Sequence, residues 1–337
     1  MSGRRRIAIL GGGSWGTALA IHLSRLDHDV ALWFHDASLA VETAAARENA
    51  RYLPGHRIPE RVRITGDLAD AMSQAADVIL AVPSHHCRSV LSNLKPSMQG
   101  PEAIIVASKG IETESLLRVS EIVRDVFGAG SEQKTAVLSG PSFAREVAAN
   151  HPTAVVIASR DLGLAGRLQA TLSGGGLRAY SSSDVVGVEL GGALKNVVAI
   201  GAGVVTGLGY GSNTLAALIT RGLAEISRLA VSLGGRPETL AGLAGLGDLI
   251  LTCTGALSRN RALGEALGRG RTLQQHQAET PMVAEGALTT LSAYRLAMRE
   301  GVEMPITEQV HALLYDNRPP AEAIAALLAR ELRSETG

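Results

Sequence analysis

The chain has 337 residues, 46% of them hydrophobic and 19% charged, and 32 Lys and Arg balance 32 Asp and Glu to a formal net charge of zero. That apolar fraction and that charge exclude a disordered chain, and the balance gives no reason to expect nonspecific nucleic-acid binding. A chain of this length can bury a real core and form about two or three domains.

Two cysteines, Cys87 and Cys253, cannot build a disulfide framework, so a reducing compartment is expected. The start MSGRRRIAIL lacks the apolar core and cleavage site of a secretory signal, which predicts a cytoplasmic protein. The longest Gly/Ala/Val-rich stretch, 197–208, reads as too short and too glycine-rich to span a bilayer, so no stable membrane insertion is expected.

In chain order, 6–10 reads as a short buried strand, 11–16 as a glycine-rich turn, 17–26 as a helix and 29–33 as the next strand. Further apolar runs without polar alternation lie at 77–82, 103–107, 135–139 and 153–157. Such strands with helices between them predict a parallel sheet covered on both faces, an α/β doubly wound (Rossmann-like) fold with right-handed crossovers. The pattern changes at 180–184, beyond which helices are expected at 185–208, 215–233, 237–243, 260–267, 284–300 and 320–331. The predicted division is a dinucleotide-binding domain, 1–184, followed by an all-helical substrate and catalytic domain, 185–337.

The turn Gly11-Gly12-Gly13-Ser14-Trp15-Gly16 fits G-x-G-x-x-G between a strand and a helix. Gly11 permits the tight turn, Gly13 lets a pyrophosphate approach the backbone, and Gly16 lets the helix pack on the strand. The helix N-terminus then favours the phosphate charge. Phe34, His35 and Asp36 follow the second strand, where an acid favours the ribose hydroxyl of NAD and a cation the 2′-phosphate of NADP. Both residue types stand there, so cofactor choice stays open, and His35 has an equal use as a plain surface residue.

Past the turn, Lys109 and the segment from Ser139 and Gly140 to Ser142 and Ala144 end strands at the carboxyl edge, where open sheets bind ligands. Lys195 sits in an otherwise apolar, small-residue helix, costly unless it is paired or used; the alternative is a lysine that snorkels to solvent. Asp248, flanked by glycine, is a ligand carboxylate or simply a helix N-cap. Ser258-Arg259-Asn260-Arg261 suits a phosphate near a helix start, or else is a solvated basic turn. No metal site is predicted.

The segments GGGSWGTALA (11–20), RYLPGHRIP (51–59), ASKGIE (107–112), SGPSFAREVA (139–148), ELGGALKNVVAIGAGVVTGLGYG (189–211), TRGLAEISRL (220–229), LAGLGDLILTCT (243–254), SRNRALG (258–264), VAEG (283–286) and MPITEQV (304–310) resemble the bacterial type of NAD(P)-dependent glycerol-3-phosphate dehydrogenase. They run through nearly the whole chain in family order. The resemblance implies reversible hydride transfer that reduces dihydroxyacetone phosphate to sn-glycerol 3-phosphate for glycerophospholipid synthesis, with NAD or NADP, in a homodimer. It implies Ser14, Trp15, His35, Ala144, Val283 and Glu285 as cofactor contacts. Lys109 would touch cofactor and substrate; Gly140, Ser142 and Asp248 would stand at the substrate; Lys195 would transfer the proton. Ser258, Arg259 and Asn260 would hold the substrate phosphate, with Arg259 also near the cofactor. Many relatives carry arginine where this chain has His35, which weakens a strong NADP preference. Two other readings stand beside this one: a dehydrogenase of the same design for a hydroxy or branched keto acid, which has no need of Ser258-Arg259-Asn260, and a catalytically silent dinucleotide-binding protein, which needs neither Lys195 nor Asp248.

Overall fold

The computed structural model describes residues 3–94, 101–279, 285–332 and 334–335. Eight strands, β1 (Arg6–Leu10), β2 (Asp29–Trp33), β3 (Arg63–Thr65), β4 (Asp77–Leu80), β5 (Ala103–Val106), β6 (Thr135–Ser139), β7 (Thr153–Ser159) and β8 (Leu177–Ser182), form one sheet. Their order is β3-β2-β1-β4-β5-β6-β7-β8, with the reversal between β1 and β4 that marks a doubly wound sheet. The helices on its faces are α1 (Ser14–Arg25), α2 (Ala37–Ala46), α3 (Leu68–Met72), α4 (Cys87–Leu94), α5 (Val119–Phe127), α6 (Ala144–Ala148) and α7 (Leu162–Leu172). β4, β5 and β6 are buried along their whole length, because helices cover them on both sides.

The sheet departs from the expected all-parallel arrangement at one pair. β6 and β7 run antiparallel, with Ala136 opposite Ser159 and Ser139 opposite Val156. Their connection holds one short helix, α6, which packs on α1 and returns the chain alongside β6. The edge strands β3 and β8 were not expected from the sequence. β8 alternates buried and exposed residues, LRAYSS, so it carries no continuous apolar run.

From Val185 onward the described chain is helical: α8 (Val185–Gly207), α9 (Ser212–Ser232), α10 (Pro237–Leu240), α11 (Asp248–Thr254), α12 (Arg259–Gly268), α13 (Leu273–Glu279), α14 (Glu285–Glu300), α15 (Pro305–Tyr315) and α16 (Pro320–Leu328). α11, α13 and α15 are additions to the predicted set; Pro305 opens α15, and the buried Glu225 carboxylate accepts from the Ile306 and Thr307 amides at 2.6 and 3.2 Å. α8 is the axis of this half, with α9, α11, α12 and α14 packed around it. Its 23 residues are long and apolar enough to cross a membrane, contrary to the short run expected, but 94% of its most apolar stretch is buried inside the protein. A span would present that surface to lipid; here other helices consume it.

α8 and α12 touch backbone to backbone. A Cβ on Gly264 would overlap the Ile200 carbonyl oxygen, and one on Gly203 would overlap that of Arg261. α8 is also fastened to the sheet half by a buried ion pair. The Glu189 carboxylate accepts from Arg118 Nη1 and from the Ser120 amide, both at 2.8 Å, at the start of α5. The close crossing yields a test. Gly264→Ala forces the two helices apart and is expected to lower stability by about 1–3 kcal/mol, read as a lower midpoint in urea denaturation; an unchanged midpoint would mean that the crossing tolerates the methyl group.

Candidate functional site

A cleft of about 380 Å³ is walled by both halves of the chain. That volume lies in the range of small-molecule sites. The sheet half contributes Ser14 and Trp15 from the turn, Ser108 and Lys109 after β5, and Ser142, Phe143 and Ala144 after β6; the helical half contributes Lys195, Thr252, Ser258, Arg259, Asn260 and Glu285. Ten of the predicted site residues therefore meet at one place.

The turn is built by three glycines with different duties. Gly11 has φ +127°, and a Cβ there would stand 2.6 Å from the Ala81 carbonyl oxygen. A Cβ on Gly16 would overlap the Gly11 carbonyl, so the first turn of α1 can lie on β1 only with glycine there. Around Gly13 the space is open. Gly13 is also the N-cap of α1 and gives no side-chain bond, which leaves the helix N–H groups available. The Trp15 indole Nε1 is buried and has no hydrogen-bond partner among the described residues.

The floor is a cluster of three ionised groups. Lys195 is 7% exposed and Asp248 1%. Lys195 donates to Asp248 Oδ1 and, at 2.8 Å, to Thr252 Oγ1. Lys109 Nζ donates to Asp248 Oδ2 at 2.6 Å and to the Gly140 carbonyl at 3.3 Å. Lys195 is thus neither snorkelling nor unpaired, and Asp248 spends its side chain on two lysines. A π-type turn, Leu243–Gly247, delivers Asp248 to the first position of α11, facing α8. Burial pushes the Lys195 ammonium down from 10.5 to about 8, Lys109 adding to the effect and Asp248 opposing it. Burial alone would raise the Asp248 carboxyl, but Lys109 and Lys195 outweigh it and hold it below its ordinary value. Burial raises the Glu285 carboxyl, against the pull of Arg259, Lys109 and Lys195.

On the far wall Ser258 caps α12, its Oγ accepting from the Arg261 amide at 3.2 Å. Asn260 Oδ1 accepts from the Gly286 amide at 3.0 Å, tying the start of α12 to α14. Behind the turn, Phe34 is 2% exposed, and its ring occupies the place a Gly12 side chain would take. Phe34, expected beside the cofactor, thus packs directly behind the turn and supports it from the core. His35 is exposed and packs edge-on against Trp33 at 5.9 Å. Asp36 Oδ1 caps α2 through the Ser38 and Leu39 amides at 3.0 and 3.2 Å. Val283 lies outside the described residues.

Two family models described as NAD-dependent glycerol-3-phosphate dehydrogenase match the chain, the N-terminus over 6–165 and the C-terminus over 184–325. A glycerol-3-phosphate dehydrogenase [NAD(P)+] of Citrifermentans bemidjiense is 51% identical over 98% of both chains. The chain belongs to the NAD-dependent glycerol-3-phosphate dehydrogenase family. The Acidobacterium capsulatum enzyme of the same name is 50% identical over 98% of this chain and 99% of its own. The crystal structure of the Coxiella burnetii glycerol-3-phosphate dehydrogenase superposes with a TM-score of 0.93 at 42% identity, over 97% of this chain and 99% of that one.

For this family member, sequence reading missed Tyr52, Leu53, Arg145, Asn196 and Thr252 as cleft residues. Thr252 lies four residues after Asp248, one helical turn away on the same face; that spacing was a usable signal. Tyr52 and Leu53 lie in a loop, 51–59, that resembles the family as a segment, but no local pattern placed their side chains in the cleft. The charge cluster makes a prediction. Lys109→Met removes a neighbouring positive charge, so Lys195 should titrate above about 8; Asp248→Asn removes the compensating negative charge and should lower it. The pH dependence of Lys195 acylation, mapped by peptide mass, checks both; a midpoint that falls in Lys109→Met contradicts the account.

Proposed function

We propose that this chain catalyses reversible hydride transfer between NAD(P) and carbon 2 of a three-carbon phosphate, reducing dihydroxyacetone phosphate to sn-glycerol 3-phosphate for glycerophospholipid synthesis. The observation that carries the reading is a buried lysine, poised between one carboxylate and one further lysine, on the floor of a cleft between a dinucleotide-type turn and the basic start of α12.

The residues suit the dinucleotide. Open space at Gly13, the uncapped N–H groups of α1 and the orphaned Trp15 Nε1 are the donors and room a pyrophosphate-bearing ligand requires. Gly11, Gly13, Ser14, Trp15 and Gly16 would hold it, with His35, Ala144, Arg259 and Glu285 around it. The bound nicotinamide supplies or takes the hydride. Lys195, as an ammonium, has three N–H donors, two of which go to Asp248 and Thr252. The third polarises the substrate ketone and passes its proton to the developing alkoxide; in the reverse direction the neutral amine takes that proton back. Lys109, Gly140 and Ser142 line the substrate from the sheet side. Ser258, Arg259 and Asn260 hold its phosphate and fix carbon 2 in place.

We also place the domain boundary between Asp184 and Val185, where Asp184 caps the first helix of the helical half through the Gly187 amide. Cytoplasmic residence accords with two buried free cysteines. A homodimer rests on the family resemblance, and light scattering of the purified chain reads it.

The deciding assay follows nicotinamide absorbance with dihydroxyacetone phosphate, with NADH and NADPH in parallel; no turnover with either cofactor rejects the reading. Lys195→Ala should lower turnover by about 10²–10⁴-fold while NADH still binds; turnover within a few-fold of the parent would remove Lys195 from its role. Reduction needs the ammonium and should fall as pH rises through about 8, whereas oxidation needs the amine and should rise through the same value. Arg259→Ala should weaken the phosphate-bearing substrate far more than a phosphate-free analogue, and equal losses would count against the phosphate site.

A further inference from the structure

One buried amide ties the phosphate-type turn to the neighbouring loop that carries Tyr52 into the cleft wall. Asn49 is 0% exposed and does not line the cleft. Its Nδ2 donates to the Gly12 carbonyl and to Thr17 Oγ1, both at 2.8 Å, and its Oδ1 accepts from the Tyr52 amide at 3.1 Å. A fourth bond closes the loop, from Ser14 Oγ to the Tyr52 carbonyl at 2.7 Å. Ser14, Trp15, Tyr52 and Leu53 are cleft residues, so these bonds join residues of the cleft wall or their near neighbours in the chain.

The chemistry of the site requires an amide. The Phe34 ring fills the place a Gly12 side chain would take, and the Asn49 donor holds the Gly12 carbonyl. A carboxylate could still accept from Tyr52, but it would turn an acceptor towards the Gly12 carbonyl and add negative charge behind an anion-binding turn. An alanine would leave a buried carbonyl and a buried amide unsatisfied.

We propose that Asn49 is a positioning residue for dinucleotide binding, holding the turn and the adjoining Tyr52 loop in register along the cleft wall. It acts on the cofactor end and leaves the lysine cluster untouched, since none of its bonds reaches α8 or α11. This rests on the dehydrogenase reading above only for the identity of the ligand.

The test uses the full chain with Asn49→Asp and Thr17→Val, the second removing one partner of the same amide. NADH is titrated by quenching of tryptophan fluorescence, and thermal midpoints are recorded alongside. Asn49→Asp should weaken NADH about tenfold or more, and Thr17→Val about threefold, as expected for losing hydrogen bonds of this kind. The KM for dihydroxyacetone phosphate should stay within about twofold, because its contacts lie elsewhere. NADH affinity within about twofold of the parent in folded Asn49→Asp, or a parallel rise in both KM values, overturns the proposal, since a merely structural role predicts those results. If Asn49→Asp does not fold, Thr17→Val decides by the same criterion. A parent chain that binds NADH yet does not turn over dihydroxyacetone phosphate would sink the proposed function and leave this titration valid.

Discussion

Two ammonium groups share one buried carboxylate, and the rest of the site is arranged around that fact. Lys109 and Lys195 each hold one oxygen of Asp248, a side chain only 1% exposed. Taking ions out of water costs several kcal/mol apiece, and a single carboxylate offsets only one of two positive charges. Burial brings Lys195 down to about 8, the second ammonium adding to the effect and Asp248 opposing it, which is near enough to neutrality for it to give and take a proton. The cluster also joins the two halves of the chain, because Lys109 follows a strand of the sheet whereas Lys195 and Asp248 sit on helices of the other half.

Close backbone approach sets the frame for that chemistry. Glycine lets α1 lie on β1 at the turn and lets α12 lie on α8 at their crossing. A chain with few aromatics fills its interior with small side chains and short distances instead. The helix that carries Lys195 is pinned at Glu189 to the start of α5 and packed along its length by other helices, α9, α11, α12 and α14 foremost. A lysine on such a helix loses little further freedom when it meets its substrate, which is the structural meaning of preorganisation.

Much of this was legible in the residues. The glycine turn announced itself by spacing and by its place between a strand and a helix. Lys195 stood out because a cation in an apolar helix must be paired or used. Phe34 stands next to the expected ribose position, and only the fold shows that its ring fills the core beneath Gly12. The edge strand β8 carries no readable pattern, since half of its residues face water and no apolar run marks it. Asn49 gave no signal at all: nothing in a loop of mixed composition says that an amide will find a carbonyl 37 residues away.

By itself the sequence determined the strand and helix periods, the glycine positions where no side chain fits, and the change from a sheet-forming half to a helical one. These are local properties, set by neighbours a few residues apart. Only the tertiary structure decided that the β6–β7 pair runs antiparallel and that Asp248 serves two lysines and not a helix end. The Lys109–Asp248 contact spans 139 residues of chain, and no local propensity encodes the meeting of groups so distant. It arises when α8 and α11 are buried against the sheet half, because a carboxylate withdrawn from water is stable only where cations meet it.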